Sequence, residues 1–367
     1  MQLHIIGGFL GSGKTTAIIG AARYLAAQGK QVGVITNDQG RHLVDTEILQ
    51  ANELPAMEVS GGCFCCHFDD LNQRLNDLID RYHPDVIFAE SVGSCADVVA
   101  TVVRPLLEME IGTLKPSSYS VFADVRLLYR YLNGLEMPFS DGINYIFGKQ
   151  IEEAGLLIIN KSDLVDAIRL DEVINAARAS YPNTNIIAAS ALSMPDMVDW
   201  VDGLQAGRYP APARSLQIDY DRYAEGERRF AWIDREYQIS ADAKHMPSII
   251  RSILSRWVQI IDENQWVQGH IKAVVSSSNN ANKLSLAQSG EVISREDLDA
   301  FPFEGISNAS QINILLNMLV EGKPDHLVQQ MDAGIEQMAN LGNANYSVAR
   351  SFERVPGYPK PTHRFGN

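Results

Sequence analysis

Basic residues, cysteines and long apolar runs are all scarce in this sequence. Lys and Arg total 31 against 45 Asp and Glu, so the formal net charge is -14. A nucleic-acid-binding protein needs a basic surface that displaces counterions, so we expect no nucleic-acid partner. The same charge disfavours an anionic membrane surface, and no apolar run approaches the roughly 20 residues that cross a bilayer. With 46% apolar and 21% charged residues, the composition is that of a soluble globular protein.

The four cysteines are unevenly placed, because Cys63, Cys65 and Cys66 fall within four residues while Cys95 stands apart. Such close spacing argues against a structural disulfide framework. The eight histidines are scattered, so no histidine-rich metal store is predicted. The chain enters a predicted strand directly after Met1, which leaves no room for a signal peptide. We therefore expect a cytoplasmic protein.

The first half of the chain alternates short β-branched runs with helical patterns. Runs that are apolar on both faces and separated by helices are typical of a parallel sheet covered on two sides. The sequence thus predicts an α/β fold with a mostly parallel sheet and helices on both faces. Its ligand sites are expected at the carboxyl ends of the strands. The predicted strands lie at 3–6, 31–36, 85–89, 120–123, 155–159 and 185–189.

A glycine-rich turn follows the first predicted strand and precedes a helix predicted over 14–27. Residues 8–15, GFLGSGKT, fit the pattern G-x-x-x-x-G-K-[ST], whose backbone N–H groups converge on phosphate oxygens. The helix N-terminus adds a favourable dipole. We expect Lys14 to reach the β- and γ-phosphates and the Thr15 hydroxyl to bind Mg²⁺. The other phosphate contacts predicted here are Gly8, Gly11, Ser12 and Gly13.

An N-K-x-D sequence, at 160–163, ends a later apolar strand and indicates the base. The Asp163 carboxylate can accept from both N1–H and the exocyclic amine of guanine, a donor pair that adenine lacks. GTP is therefore preferred over ATP by about 1–3 kcal/mol. We expect Lys161 to lay its stem on the base and Asn160 to belong to the same site. Ser190 and Ala191 are placed to support the base from the other side.

Two further turns follow predicted strands at the same edge. Glu90, in the sequence ESVG, can hold a Mg²⁺-bound or attacking water, and Gly93 can offer its N–H to the γ-phosphate. The alternative is that Glu90 and Ser91 merely cap a helix. Asp38, in the sequence NDQG, is either a metal or Mg²⁺ ligand or a simple turn residue.

The cysteine-rich segment SGGCFCCH spans residues 60–67. Thiolates are soft ligands for Zn²⁺, Co²⁺, Ni²⁺ or Cu⁺, and the glycines let neighbouring sulfurs converge. A helix predicted to start near Asp69 favours the ionised form. The sequence therefore predicts a metal site at Cys63, Cys65 and Cys66, suited to transfer. A C-x-x-C redox pair and inert buried thiols are the alternatives, and participation of His67 or Cys95 stays open.

Together these motifs resemble the CobW/HypB/UreG group of metal-trafficking P-loop GTPases, and its CobW-like branch in particular. The resemblance rests on GFLGSGKTT at 8–16, GGCFCC at 61–66, ESVG at 90–93 and NKSD at 160–163. It implies a slow GTPase with GTP and Mg²⁺ as cofactors. It also implies a C-x-C-C site for a transition metal, with Zn²⁺ or Co²⁺ favoured. Delivery of that metal to a client metalloprotein or metallocofactor system would be gated by GTP hydrolysis, and a homodimer is left open.

The resemblance also assigns roles to individual residues. It adds Thr16 to the nucleotide contacts and makes Glu90, Gly93 and Asp38 the catalytic group, with Glu90 and Thr15 holding Mg²⁺. Asp38 stands where the family usually has Glu in N-E-x-G. The segments PTHR at 361–364 and SVGSC at 91–95 faintly resemble members associated with corrinoid-dependent methyl transfer.

The predicted domain order is a P-loop GTPase domain over 1–205, a linker over 206–216, a smaller α/β domain over 217–340 and a Pro-rich tail over 341–367. The second domain resembles the family's C-terminal domain only in its order of strands and helices. Two other functions remain alternatives. One is a P-loop kinase or ligase acting on a small molecule, which would prefer ATP. The other is a metal or redox sensor that works without nucleotide.

Overall fold

The computed structural model describes two compact units of the chain. The described residues are 1–38, 49, 54–60, 62–109, 114, 116–277, 281–288, 291–306 and 309–366. The first unit contains those up to Gly226 and those from Tyr358 onward. The second contains those from Glu227 to Gly357. Among the described residues, no helix combines the length and the apolar character needed to cross a membrane.

The first unit is built on a seven-stranded sheet with the order β3-β2-β4-β1-β5-β6-β7. Every described strand pair in it is parallel. The α/β fold class is thereby confirmed, and all six predicted strands overlap observed ones. The additional strand, β3, contains a single β-branched residue and so gave a weak signal. The strands are β1 Gln2–Gly8, β2 Val32–Asp38, β3 Ala56–Ser60, β4 Val86–Glu90, β5 Pro116–Asp124, β6 Leu156–Asn160 and β7 Asn185–Ala188.

Helices cover this sheet on both faces. On one face Trp200 packs against Phe88 and Phe122, with ring centroids 5.9 and 5.2 Å apart. On the other, Leu78 lies against Gly33, where an added Cβ would be 2.6 Å from its Cδ2 atom. The helices are α1 Lys14–Ala27, α2 Phe68–Tyr82, α3 Arg104–Glu108, α4 Val125–Leu132, α5 Asp141–Glu152, α6 Ala167–Ser180, α7 Met194–Gln205 and α8 Tyr220–Arg229, with a π-helical turn at Val99–Val103 and a 3-10 turn at Ser162–Leu164.

Burial on two sides explains why the strands are continuously apolar. Residues Leu156–Asn160 are all buried, as are those of β4. Parallel strands all present their carboxyl ends at one edge, and β1 and β4 are neighbours in the middle of the sheet. After β1 the chain adds β2, β3 and β4 on one side of it, and then β5, β6 and β7 on the other side. This arrangement brings the turns after β1, β2, β4 and β6 to the edge where ligands bind in such sheets.

The second unit is an antiparallel sheet packed against helices, with the strand order β11-β10-β9-β12-β8-β13. Its core includes Trp257, Ile314 and Met331. The strands are β8 Phe230–Ser240, β9 Gln268–Ser276, β10 Ala281–Gln288, β11 Glu291–Val292, β12 Gln311–Glu321 and β13 Asn345–Arg354. The helices are α9 Met246–Asn264, α10 Arg295–Asp299 and α11 Pro324–Leu341, with a 3-10 turn at Phe303–Ile306.

The Pro-rich tail predicted over 341–367 contains a regular strand near its start. Its first part forms β13, which pairs with β8 at the edge of the second sheet. Most residues of this strand are exposed, so the sequence carried no buried apolar face that would have indicated it. The C-terminal segment, defined here as Tyr358–Gly366, belongs to the first unit.

Candidate nucleotide and metal site

The phosphate-binding turn is shaped by glycines in backbone conformations that residues with a side chain rarely adopt. Gly8 and Gly13 have φ angles of 128° and 92°, and Gly11 has 70°. A Cβ on Gly8 would lie 2.2 Å from the carbonyl oxygen of Phe122, and one on Gly13 would lie 2.4 Å from Nδ2 of Asn160. The loop therefore passes tightly between β5 and the end of β6. Such a turn aims its N–H groups at one point, as phosphate binding requires.

The first residues of α1 meet the acid that ends β4. The Thr15 hydroxyl lies 3.0 Å from both carboxylate oxygens of Glu90, and both side chains are buried. Lys14 donates from Nζ to the carbonyl oxygens of Gly8 (2.9 Å) and Phe9 (3.2 Å). A hydroxyl and a carboxylate side by side are ligands that Mg²⁺ prefers, so this pair fits the cation. Ser12 is buried in the loop, and Thr16 faces outward from the first turn.

The turn after β4 lies directly against the phosphate-binding loop. A Cβ on Gly93 would be 2.8 Å from Cδ2 and 3.1 Å from Cα of Leu10. Gln150, in α5, donates from Nε2 to the carbonyl oxygens of Gly93 (3.0 Å) and Cys95 (2.8 Å). Nothing in the sequence singles out Gln150, because a lone helical glutamine belongs to no motif. Its role is to hold the segment that links Glu90 to Cys95.

The amide of Asn160 joins two loops of the site. Its Nδ2 donates to the carbonyl oxygen of Ser12 at 2.6 Å, and its Oδ1 accepts from the N–H of Ala191 at 2.9 Å. The N–H of Ser190 donates to Asp196 at 2.7 Å. These bonds fix the loop after β7 beside the phosphate-binding loop. Direct contact of Asn160, Ser190 or Ala191 with a base stays a prediction.

The two charged residues of N-K-x-D are placed differently from each other. Lys161, with a φ of 61°, forms an ion pair from Nζ to Asp124 at 2.9 Å. Burial opposes the charge on Asp124, but Arg126 and Lys161 outweigh it and hold the pKa of that carboxyl below its usual value. Asp163 is exposed at the edge of the sheet. Its carboxylate is therefore accessible to the base, as the predicted guanine contact requires.

The three clustered cysteines bring their sulfurs together. The Sγ atoms of Cys63, Cys65 and Cys66 all lie within 4.8 Å of one another, and those of Cys65 and Cys66 are 3.8 Å apart. Tetrahedral Zn²⁺ with bonds of about 2.3 Å places its sulfurs about 3.8 Å apart, so the cluster could hold such an ion. Within the described part of the chain this group contains cysteines only. His67 is exposed, and its ring lies against Gly62.

The environment of the cluster favours one ionised thiol. Hydrogen bonds from the thiols of Cys65 and Cys66 hold the pKa of Cys63 well below its usual value, although burial acts against this. A metal ion would displace the remaining protons, because thiols must ionise to bind. Two N–H groups, those of Cys66 and His67, donate to the Cys63 carbonyl and fold the loop into a turn before α2.

Asn37, at the end of β2, holds the cysteine loop, defined here as residues 62–67, to the sheet. Its Nδ2 donates to the carbonyl oxygens of Val59 (3.0 Å) and Gly62 (2.6 Å), and its Oδ1 accepts from the N–H of Phe64 at 2.8 Å. The next residue, Asp38, was a predicted catalytic or metal-binding acid. Its side chain lies outside the described residues, as do residues 39–41 and Gly61, so those interpretations stay predictions.

The C-terminal segment lies on the cysteine loop. Thr362 donates from its N–H to the carbonyl oxygen of Cys65 at 2.8 Å and from its hydroxyl to that of Cys66 at 3.2 Å. Arg364 forms an ion pair with the buried Asp97 at 2.7 Å. In the sequence this segment belongs to a Pro-rich tail and contains PTHR at 361–364, and neither feature indicated a contact with residues so far back in the chain.

A phosphate-binding turn, an adjoining Thr–Glu pair and an N-K-x-D loop on a parallel sheet define a P-loop nucleotide-binding protein. The model of the CobW/HypB/UreG nucleotide-binding domain matches residues 2–188. The chain belongs to the CobW/HypB/UreG family, which confirms the resemblance.

Known relatives are similar over the same region. The zinc chaperone CobW of Sinorhizobium sp is 29% identical over 189 residues, covering 46% of this chain and 53% of that protein. The zinc chaperone YeiR of Escherichia coli K12 is 28% identical over 165 residues, covering 44% and 47%. The chain thus spans about half the length of these curated relatives. A solved structure of HypB from Helicobacter pylori in complex with nickel aligns with a TM-score of 0.42 and 18% identity, covering 59% of this chain and 92% of that one.

Proposed function

We propose that this protein is a GTP-dependent metallochaperone, which binds a transition metal at Cys63, Cys65 and Cys66 and releases it to a client in response to GTP hydrolysis. The observation that carries the proposal is the continuity between the two sites. Glu90, at the end of β4, contacts Thr15 at the start of α1. Asn37, on the neighbouring strand β2, is hydrogen-bonded to Gly62 and Phe64 of the cysteine-rich segment.

Each part of the proposed cycle falls to residues already described. Lys14 and the loop N–H groups would bind the phosphates, while Thr15 and Glu90 would hold Mg²⁺. Glu90 would also orient the attacking water, and the Gly93 N–H would face the γ-phosphate. Asp163 would select guanine. The metal is the cargo, with Zn²⁺ or Co²⁺ favoured, and the client is a metalloprotein or metallocofactor system.

The relatives' names support a metal-related role, since two of them are called zinc chaperones. Thiolate ligands suit that cargo. A small-molecule kinase is less well supported, because the exposed Asp163 after β6 fits a guanine and not an adenine edge. A nucleotide-independent sensor would not need the contacts that Glu90 makes with Thr15 and Gly93 makes with Leu10.

The decisive experiment is a competition titration with Zn²⁺ and Co²⁺ in the GTP-bound and GDP-bound states. Glu90→Gln is used for the GTP state, because it should leave binding largely intact and slow hydrolysis. Coupling energies between two sites are typically 1–3 kcal/mol, so we expect affinities that differ by about 5–150-fold. By reciprocity, the metal should shift GTP affinity by the same factor. Cys65→Ser and Cys66→Ser should abolish both effects, and equal metal affinity in the two states would refute the proposal.

A further inference from the structure

We propose that the C-terminal segment connects the nucleotide site to the cysteine loop, so that the bound nucleotide changes metal affinity through the ion pair between Arg364 and Asp97. This inference rests on the proposed function and names the residues that carry its coupling. At one end of the connection, Thr362 is bonded to two carbonyl oxygens of the cysteine loop. At the other end, Asp97 follows Glu90 by seven residues in the chain.

The part of the chain that carries Asp97 begins beside the phosphate-binding loop. Glu90 contacts the first turn of α1, and Gly93 lies against Leu10. The carbonyl oxygen of Asp97 accepts from the N–H and the hydroxyl of Thr101, at 3.0 and 2.6 Å, and so fixes Asp97 to the π-helical turn that leads into α3. A displacement of the turn after β4 on loss of the γ-phosphate would therefore be passed to Asp97.

The buried carboxylate of Asp97 takes its counter-charge from the C-terminal segment. Asp97 is 1% exposed, and its Oδ2 accepts from Nε of Arg364 and from the hydroxyl of Tyr220, each at 2.7 Å. Among the described residues, the cation paired with this carboxylate is that of Arg364. A buried charge without its partner is strongly destabilising. Arg364 is therefore expected to follow Asp97 when Asp97 moves.

The two residues after Arg364 are bound to the same helical stretch. The N–H of Phe365 donates to the carbonyl oxygen of Ala100 at 2.9 Å. Arg104 donates to the carbonyl oxygens of Phe365 at 3.1 Å and of Gly366 at 2.7 Å. Three consecutive residues of the C-terminal segment are thus attached to the part of the chain that continues from Glu90.

The residues just before this attachment are bound to the cysteine loop. Thr362 donates from its N–H to the carbonyl oxygen of Cys65 at 2.8 Å and from its hydroxyl to that of Cys66 at 3.2 Å. The ring of His363 packs edge-on against that of Phe68 at the start of α2, with centroids 5.1 Å apart. Loss of groups that hold metal ligands in place typically lowers metal affinity ~10–100-fold. A shift of Thr362 would therefore change how well the sulfurs fit an ion.

The C-terminal segment is held by hydrogen bonds more than by burial. Within Tyr358–Gly366, Pro359 is the one buried residue, and exposed residues alternate with half-buried ones along most of the rest. Parts of a protein that bury few apolar contacts open at low free energy. The segment can therefore shift without disturbing the core of the first unit.

The first test measures hydrogen exchange in the metal-free, full-length chain. The N–H groups of Thr362 and Phe365 are both bonded in the structure, so peptides that cover 358–366 report on the attachment of the segment. Their exchange rates should differ between the complex with a non-hydrolysable GTP analogue and the complex with GDP. In Arg364→Ala exchange should be fast in both. Identical exchange in the two complexes of the wild-type chain would overturn the inference, and this result does not depend on metal binding.

The second test repeats the zinc titration with the GTP analogue and with GDP in two variants of the segment. The wild-type affinities should differ by about 5–150-fold. Arg364→Ala should bind zinc with similar affinity in both states. The matched control is Tyr358→Phe, which removes a hydroxyl bonded to Asp221 at 3.2 Å at the other end of the segment and should keep the wild-type difference. Unchanged nucleotide affinity in the absence of metal shows that both variants are folded.

A conservative variant separates the ion pair from a general loosening of the segment. Arg364→Lys keeps a positive charge beside Asp97 and should restore part of the difference between the two nucleotide states. An undiminished difference in Arg364→Ala, or an equal loss in Tyr358→Phe, would overturn the inference and leave the proposed function intact. Equal zinc affinity in the two states of the wild-type chain would instead contradict the proposed function.

Discussion

Asn160 illustrates how a single side chain can serve a site by holding its loops together. Its amide is bonded to the main chain of Ser12 on one side and of Ala191 on the other. An amide offers a donor and an acceptor in one plane, so it can join two loops where a carboxylate could serve only as acceptor. Within the same motif Asp163 is exposed, so its carboxylate is accessible for the predicted contact with the base.

We predict that Asp163→Asn changes the base preference from guanine to xanthine. The carboxylate accepts two hydrogen bonds from guanine, whereas an amide complements the edge of xanthine. GTP binding should weaken by about 1–3 kcal/mol, and binding of xanthosine triphosphate should improve. Dissociation constants for the two nucleotides measure this. Asp166→Asn, which removes a nearby charge at the start of α6, should change neither, and equal wild-type affinity for ATP and GTP would contradict the prediction.

Glu153, buried at the end of α5, makes the stability of the protein dependent on pH. Burial, together with the nearby charge of Asp97, raises the pKa of Glu153 to about 8, against the hydrogen bonds from the Val99 N–H and the Tyr119 hydroxyl. Between about pH 4.5 and 8 the folded chain holds a proton that the unfolded chain releases. Stability contributed by this group is therefore lost as the pH rises through that range.

The matching prediction concerns Glu153→Gln, which cannot ionise. As the pH rises from 5 to 8, the free energy of unfolding of this variant should increase relative to that of the wild type by up to about 1.4 kcal/mol per pH unit. Urea denaturation at several pH values measures the difference. Glu152→Gln is the control, since Glu152 is half exposed and paired with Lys149. Parallel stability profiles of wild type and Glu153→Gln would refute the prediction.

The loop between β3 and α2 shows how one element presents metal ligands. It has little regular structure of its own, and Asn37 from β2 supplies three hydrogen bonds that shape it. Each buried main-chain group that is left without such a partner lowers stability by about 1–3 kcal/mol. The geometry of the sulfurs therefore depends on a strand that contributes none of them.

Replacement of Asn37 by Ala should accordingly weaken zinc binding without removing a ligand. The Phe64 N–H loses this acceptor and the Gly62 carbonyl loses this donor, so we expect the affinity for Zn²⁺ to fall by about tenfold or more. A chelator competition assay measures the change. Asn185→Ala, which removes an exposed amide bonded to the Gly155 carbonyl, should bind zinc normally. Normal zinc affinity in Asn37→Ala would show that the loop holds its shape without this side chain.

The sequence was informative where chemistry requires fixed spacing along the chain. The phosphate-binding turn, the N-K-x-D loop and the C-x-C-C cluster each lie within a short segment, and buried parallel strands produce continuous apolar runs. Gln150 and Asn37 were missed because their partners are main-chain groups brought near only by folding. The edge strand β13 was missed because both of its faces are largely exposed.

At the scale of the whole chain, the first unit is discontinuous in sequence. It begins at the N-terminus, is interrupted after Gly226, and takes up the C-terminal segment again at Tyr358. That segment is bonded to Cys65 and Cys66 through Thr362, and Arg364 pairs with Asp97. A stretch that follows all of the second unit thus covers the proposed metal site.

Loss of the Arg364 side chain should loosen this cover. Arg364→Ala removes the ion pair with buried Asp97 and the hydrogen bond to the Leu216 carbonyl. If about 1.4 kcal/mol of local stability is lost, Cys66 should react about tenfold faster with a chromogenic disulfide reagent. Arg350→Ala, at an exposed arginine in the second unit, is the control. Identical labelling rates in Arg364→Ala and wild type would show that the segment does not protect the thiols.

The return of the C-terminal segment has a consequence for biosynthesis. A ribosome translates the cysteines at 63–66 early and reaches Thr362 only after a further ~300 residues. At about 5–20 residues per second, the nascent thiols exist for about 15–60 s before the partner of the Cys65 carbonyl has been made. During translation the loop is therefore uncovered. An ion that arrives in that interval can reach its thiols before the C-terminal segment, which later lies over them, has been synthesised.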